Sequence, residues 1–198
     1  MSHYFTNDNI KHDINKINII INNIHLTLTT DSGVFSKKGL DFGTRSLLEK
    51  LKVDEIKGDV LDFGCGYGPV GIYLKKVTNA NIDMVDINER ALNLAKKNAN
   101  LNNVNVNIFQ SDIYQNVHKK YDFIISNPPI RVGKEILYKI LFEANDHLKE
   151  NGMLIIVVNK DQGAKSITRD LQKIYNVSVL GKNKGFYIIC AKKHWLIK

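Results

Sequence analysis

The chain has 198 residues, with 28 Lys and Arg against 20 Asp and Glu, a formal net charge of +8 and a pI near 9.3. A content of 43% hydrophobic and 24% charged residues with only 3 prolines suits a globular domain with a sizeable core, and excludes disordered and collagen-like chains. No uninterrupted apolar run exceeds six residues, as in Met153 to Val158, far short of the ~20 that a membrane-spanning helix needs.

The N-terminus has no basic region followed by an apolar stretch, so a cytoplasmic location and no membrane partner are expected. Cys65 and Cys190 stand far apart and outside any Cys/His spacing, which suggests neither zinc nor a disulfide framework. The positive charge hints at nucleic acid. Yet 24 of the 28 basic residues are Lys in a chain rich in Asn and Ile, so genome composition accounts for part of the excess.

In chain order, Ile17 to Ile21 and Ile24 to Thr30 read as a hairpin closed off by Asp31-Ser32-Gly33, an N-terminal appendage over residues 1–45. Residues 46–198 then alternate strands and helices. Asp59-Val60-Leu61-Asp62-Phe63 is a short buried strand ending at a glycine cluster, and Pro69 suits the first position of a helix. Asn81 to Asp86 is the next strand. Asn88 can cap the helix after it, whose Ala91, Leu92, Ala95, Ala99 and Leu101 approximate an apolar face. Val104 to Phe109 and Tyr121 to Ser126 are further strands. Apolar residues from Ile136 to Leu148 fall at helical spacing, with Asn151-Gly152 as the stop before a strand over Met153 to Val158. A helix over about Lys165 to Ile174 leads to strands Val177 to Leu180 and Phe186 to Ala191, joined across Gly181 to Gly185 as a hairpin. This order predicts an α/β, Rossmann-like sheet of seven mostly parallel strands with helices on both faces and an antiparallel C-terminal hairpin.

The strongest local signal is Asp62-Phe63-Gly64-Cys65-Gly66-Tyr67-Gly68, a strand running into alternating glycines and then a helix. Gly64, Gly66 and Gly68 let backbone approach a ligand without a Cβ in the way, and the helix N-terminus behind them favours a negative group. Gly66 to Gly71 also spells G-x-G-x-x-G with Asp86 about twenty residues on, so a nicotinamide dinucleotide fits the letters. Asp62, at the strand end before the glycines, suits an ammonium better than a pyrophosphate. That points to S-adenosylmethionine, with Asp86 accepting the ribose hydroxyls, Asp112 near the adenine amino group, and Ile87 and Ile113 covering the ring. Ligands of open α/β sheets sit at the carboxyl ends of the strands, where these three acids fall.

Directly after the Tyr121 to Ser126 strand comes Asn127-Pro128-Pro129-Ile130. Two prolines fix the backbone, so the Asn127 amide and Pro128 carbonyl can be presented rigidly as acceptors for a planar amino group. Two acceptors holding its hydrogens turn the nitrogen lone pair toward an electrophilic methyl, which is catalysis by positioning.

Together these motifs resemble the class I S-adenosylmethionine-dependent methyltransferases with an Asn-Pro-Pro motif. Ser32-Gly33-Val34-Phe35-Ser36 followed by Gly39-Leu40-Asp41-Phe42-Gly43-Thr44 is similar to the small-domain enzymes related to RsmC, the ribosomal small-subunit RNA guanine-N2 methyltransferase. The resemblance covers residues 3 to 192. It implies Asn127, Pro128, Pro129 and Ile130 as the catalytic motif, Thr44 and Asn127 among the cofactor-binding residues, and Phe35 to Thr44 as a segment that closes over cofactor and substrate. It implies ribosomal RNA or the small ribosomal subunit as partner. Many relatives carry an aromatic residue where this chain has Ile130, so base stacking would be weaker or would come from elsewhere, with Tyr4, Phe5, Phe35 and Phe42 as candidates. Arg131 and Lys134 follow the motif and can meet a phosphate. The expected activity is methylation of a guanine exocyclic amine in ribosomal RNA. The alternatives are a protein glutamine or an adenine as substrate, a dinucleotide-dependent oxidoreductase, and a silent RNA-binding module.

Overall fold

The computed structural model describes residues 14–31 and 39–194. The sequence readings on Tyr4, Phe5 and Ser32 to Ser36 lie outside them.

Strands β1 (Ile14–Ile21) and β2 (Ile24–Asp31) form an antiparallel hairpin. Its two turn residues, Asn22 and Asn23, both take positive φ, the geometry of the tight turns that match strand twist. Leu26 and Leu28 carry the hairpin's buried face into the core.

The remaining strands are β3 (Asp59–Phe63), β4 (Asn81–Asp86), β5 (Asn107–Gln110), β6 (Tyr121–Ser126), β7 (Leu148–Asn159), β8 (Tyr175–Asn183) and β9 (Phe186–Lys193). They make one sheet in the order β5-β4-β3-β6-β7-β9-β8, parallel except for β9, which runs antiparallel to both β7 and β8. This is the architecture expected from the alternating pattern. Helices α1 (Phe42–Lys50), α2 (Pro69–Val77) and α3 (Glu89–Leu101) cover one face through Leu47, Leu48, Ile72, Leu74 and Leu92. Helices α4 (Lys134–Glu143) and α5 (Ala164–Leu171) cover the other through Leu137, Ile140, Leu141 and Ile167. Among the described residues no helix is long and apolar enough to cross a membrane.

Three local readings are corrected. The strand expected from Val104 begins at Asn107, because Asn103 in the left-handed region and the Val104 N–H bonded to the Ala99 carbonyl still belong to the end of α3. The helix expected to reach Leu148 ends at Glu143 and tightens into a 3-10 turn over Ala144–His147, so Leu148 opens β7. Asn151-Gly152 therefore breaks no helix. It sits in a bulge where the β6–β7 register moves from Tyr121↔Leu148 to Phe123↔Met153, with Asn151 at φ 62. On α3, Leu101 is 41% exposed and Leu94 is buried instead. Asn98, fully buried, stands on the face expected to be apolar.

Candidate active site

Chain order reverses about β3, which has β4 on one side and β6 on the other, so the carboxyl ends of these strands open onto one crevice. Asp62, Asp86 and Asn127 stand at or just beyond those ends, and Asp112 follows β5.

The glycine turn has two sides. Gly64 (φ +67) and Gly66 (φ +55) take a left-handed backbone, and a Cβ on either would meet nothing within 4 Å, so they face open space. Gly68 and Gly71 face the core. A Cβ on Gly68 would come 2.8 Å from the Met84 methyl, and one on Gly71 2.6 Å from its sulfur. The close approach read onto Gly68 is thus an approach of helix to sheet. The first and last turn glycines of the literal G-x-G-x-x-G do different jobs: Gly66 faces the crevice and Gly71 packs.

Asp62 is 1% exposed, and its Oδ2 accepts the Gly71 N–H at 2.8 Å in the first turn of α2. Burial pushes its carboxyl up to about 7, the Gly71 bond pulling the other way and the Asp86 charge adding to the rise. Asp86 Oδ2 accepts the Gly66 N–H and Oδ1 the Asn88 N–H, both at 2.9 Å. Burial raises this carboxyl too, against those bonds. Each carboxylate oxygen has a second lone pair, so Asp86 keeps acceptor capacity on the crevice side. Burial holds the Cys65 thiol well above its ordinary range, which leaves it a neutral packing group.

A cavity of about 450 Å³ runs along the crevice, lined by Gly64, Asp86, Ile87, Asp112, Ile113 and Pro129 among others. The structure thus brings Asp86, Asp112 and the two isoleucines to one cavity, while Asp62 lines the cleft next to it. Asp112 is exposed and Ile113 takes φ 50. Beside it a narrow cleft, sharing Gly64, is lined by Asp41, Thr44, Asp62, Gly66, Tyr67 and Asn127. Ile130 is not brought in. It lines a separate hollow of about 230 Å³ with Lys134, Tyr138 and Ser166.

The Asn127 side chain is held from the far end of the sequence. Asp41 caps α1, its Oδ1 accepting the Thr44 N–H at 2.9 Å. Asn127 Nδ2 donates to the same Asp41 oxygen and to Thr44 Oγ1, both at 3.0 Å. A carboxylate cannot donate, so the amide must turn its NH2 toward Asp41. Its carbonyl oxygen then points the other way. Pro128 is buried and its carbonyl accepts the Ile130 N–H at 2.9 Å, which leaves one lone pair. Ser126 Oγ donates to the Phe63 carbonyl at 2.7 Å, tying the β6 end to the glycine turn.

Two residues escaped the sequence reading. Tyr67 is 2% exposed, and its hydroxyl has no hydrogen-bond partner among the described residues. Burial, with the Asp41 charge adding to it, raises its phenol further above the ordinary value. Buried hydroxyls normally find partners, so an orphan in a cleft marks a place for a ligand acceptor. Asn98 on α3 accepts the Thr29 N–H at 2.7 Å and donates to the Thr29 and Tyr67 carbonyls at 2.9 and 2.8 Å. It bolts the hairpin, α3 and the glycine turn together. The signal available for Tyr67 was its place between two turn glycines; for Asn98 it was a polar residue at an apolar helical position.

The methyltransferase small domain family matches residues 25–190. The protein YbxB of Bacillus subtilis is 46% identical over 178 residues, 87% of this chain and 89% of its own length. The ribosomal RNA small subunit methyltransferase C of Haemophilus influenzae is 41% identical over 173 residues, 85% of this chain and 52% of that one, so the chain spans about half the length of such relatives. The T. thermophilus 16S rRNA N2 methyltransferase (RsmC), solved with AdoMet and guanosine, shares the fold at a TM-score of 0.81 and 22% identity, over 91% of this chain and 51% of that one. With a glycine turn, three strand-end acids and this coverage, the chain belongs to the methyltransferase small domain family.

Proposed function

We propose that this protein transfers a methyl group from S-adenosylmethionine to the exocyclic amine (N2) of a guanine in RNA, with ribosomal RNA as the substrate class. The observation that carries the reading is the locked Asn127 amide: its NH2 is spent on Asp41 and Thr44, so its oxygen is available as an acceptor for an N–H of the target. The names of the ribosomal RNA relatives support the substrate class.

The residues fit the cofactor. The open cradle at Gly64 and Gly66 is one a Cβ would fill, and the orphaned Tyr67 hydroxyl is a donor suited to a carboxylate. Asp86 would accept the ribose hydroxyls, Asp112 would serve the adenine amino group, and Ile87 and Ile113 would supply apolar walls, since all four line the cavity. Asp62, which lines the narrow cleft with Gly64 and Gly66, would meet the ammonium. Bound S-adenosylmethionine supplies an electrophilic methyl on a sulfonium.

The chain's own contribution is to orient the amine. Asn127 Oδ1 and the free lone pair of the Pro128 carbonyl hold its two hydrogens, and the Pro128-Pro129 backbone keeps both acceptors fixed. Thr44 acts here through Asn127 as well as beside the cofactor cleft. Ile130 stiffens the loop from behind, in its own hollow. The excess proton passes to water after transfer, so no strong base is needed.

Tyr67→Phe separates a ligand-binding hydroxyl from a structural one. Thermal stability stays at or slightly above wild type, because no bond is lost, while calorimetry shows cofactor affinity about tenfold weaker. Unchanged affinity would remove Tyr67 from the cofactor site. For the activity itself, the purified protein is incubated with methyl-labelled S-adenosylmethionine and with RNA or protein from cells lacking the gene. Label recovered as N2-methylguanosine in ribosomal RNA supports the reading, and label in protein moves the substrate to a side-chain amide.

A further inference from the structure

The tip of the β8–β9 hairpin lies against the start of α1. A Cβ on Gly43 would sit 3.0 Å from the Phe186 ring, so glycine there lets the two elements close up. The Phe42 and Phe186 rings pair at 5.6 Å with planes tilted by 51°, and both remain half-buried. The Lys184 ammonium stands 5.4 Å over the Phe42 ring, and on the other face of the tip Lys182 stands 4.6 Å over Tyr187. The Lys160 N–H donates to the Gly185 carbonyl at 2.7 Å, and its side-chain stem runs beside Gly185. Lys160, Lys182 and Lys184 are exposed, and none pairs with a carboxylate among the described residues.

Cations without acids beside partly open rings are the two ingredients that hold single-stranded nucleic acid: phosphates take the charges, and bases stack on the rings whatever their sequence. The location adds a third argument. Phe42 lies next to Asp41 and two residues before Thr44, the pair that fixes the Asn127 amide, so the ledge borders the site. Ile130 offers no ring and faces its own hollow.

We propose that Phe42, Phe186 and the lysines of the β8–β9 tip form a platform for single-stranded RNA, stacking a base next to the target and binding the adjoining phosphates. This rests on the RNA reading above. The Phe42–Phe186 pair takes the base face, Lys184 meets the phosphate beside it, and Lys182 and Lys160 carry the charge around the tip to the following phosphates.

The test measures binding of a fluorescein-labelled, mixed-sequence single-stranded RNA of about 12 nucleotides to wild type, Lys182→Gln/Lys184→Gln, Phe186→Leu, and a control Lys96→Gln/Lys97→Gln on the exposed face of α3. Cofactor affinity by calorimetry verifies that each variant is folded. The tip variant is expected to bind about tenfold more weakly, with a log–log salt slope shallower by about 1.4 for two lost phosphate contacts, while the α3 control keeps the wild-type slope. Phe186→Leu loses about fivefold or more with the slope unchanged, as stacking requires. Equal affinity of wild type and tip variant, or equal losses in tip and control, overturns the platform and leaves the RNA reading standing. Displacement of the RNA by poly-glutamate as readily as by unlabelled RNA of equal charge also overturns it, in favour of an acidic protein partner. A wild type that binds cofactor but no RNA overturns both.

Discussion

Asn127→Ala lowers methyl transfer by about a hundredfold or more while cofactor affinity stays within about threefold of wild type. The amide does not line the roomy cavity where Asp86 and Asp112 stand; it borders the cleft and presents one oxygen, because Asp41 and Thr44 claim its NH2. Removing it leaves the target amine free to rotate its lone pair away from the methyl, a loss felt in turnover. Asp86→Ala gives the opposite split. Its two carboxylate oxygens brace the Gly66 and Asn88 N–H groups and face the cavity, so cofactor affinity falls first. Steady-state kinetics with parallel calorimetry separates the two patterns, and a reversed pattern would overturn both role assignments.

Asn98→Ala carries the largest expected cost in stability, about 3–5 kcal/mol. Asn98 is fully buried, and three backbone groups, the Thr29 N–H and the Thr29 and Tyr67 carbonyls, depend on its side chain. Losing one partner of a buried hydrogen bond exposes the desolvation cost of the other, and here three are stranded at once. Asn102, one turn on, makes the same kind of clamp on Thr27, and Arg90 pairs with Asp31, so the hairpin stays tethered on both sides of the lost bolt. For a chain of this size the melting temperature falls by roughly 10 °C. Because the Tyr67 carbonyl is among the stranded groups, cofactor affinity weakens as well. A melting point within about 2 °C of wild type would show that water or a shifted backbone replaces the clamp.

What the sequence conveyed and what it withheld follow a physical line. Strand β3, the glycine turn and the Pro69 helix start are local: a short apolar run, a backbone that only glycine adopts cheaply, and a residue with no N–H to satisfy. Asp86, Asp112 and Asn127 were legible because strand ends are countable and an open sheet collects them on one side. The Asn127 clamp was not, since its partners Asp41 and Thr44 lie 86 and 83 residues away and no periodicity relates them. The buried face of α3 misled at Leu101 and Asn98 for a related reason. Helical spacing says which positions share a face, and only the packed hairpin says that a polar clamp is wanted there. The end of α4 was misplaced because Ala144–His147 continues the helical spacing in a tighter turn. The inward role of Gly68 depended on Met84, a strand away in sequence and in contact only after folding.

The proposed role of Asn127 is to hold a guanine exocyclic amine. The most direct measurement is methyl transfer to a ribosomal RNA transcript against the same transcript made with inosine triphosphate in place of GTP, which removes that amine and keeps the rest of the base. The guanosine transcript is labelled in an Asn127-dependent way, and the inosine transcript takes no label. Equal labelling of the two would place the reacting atom elsewhere and contradict that role.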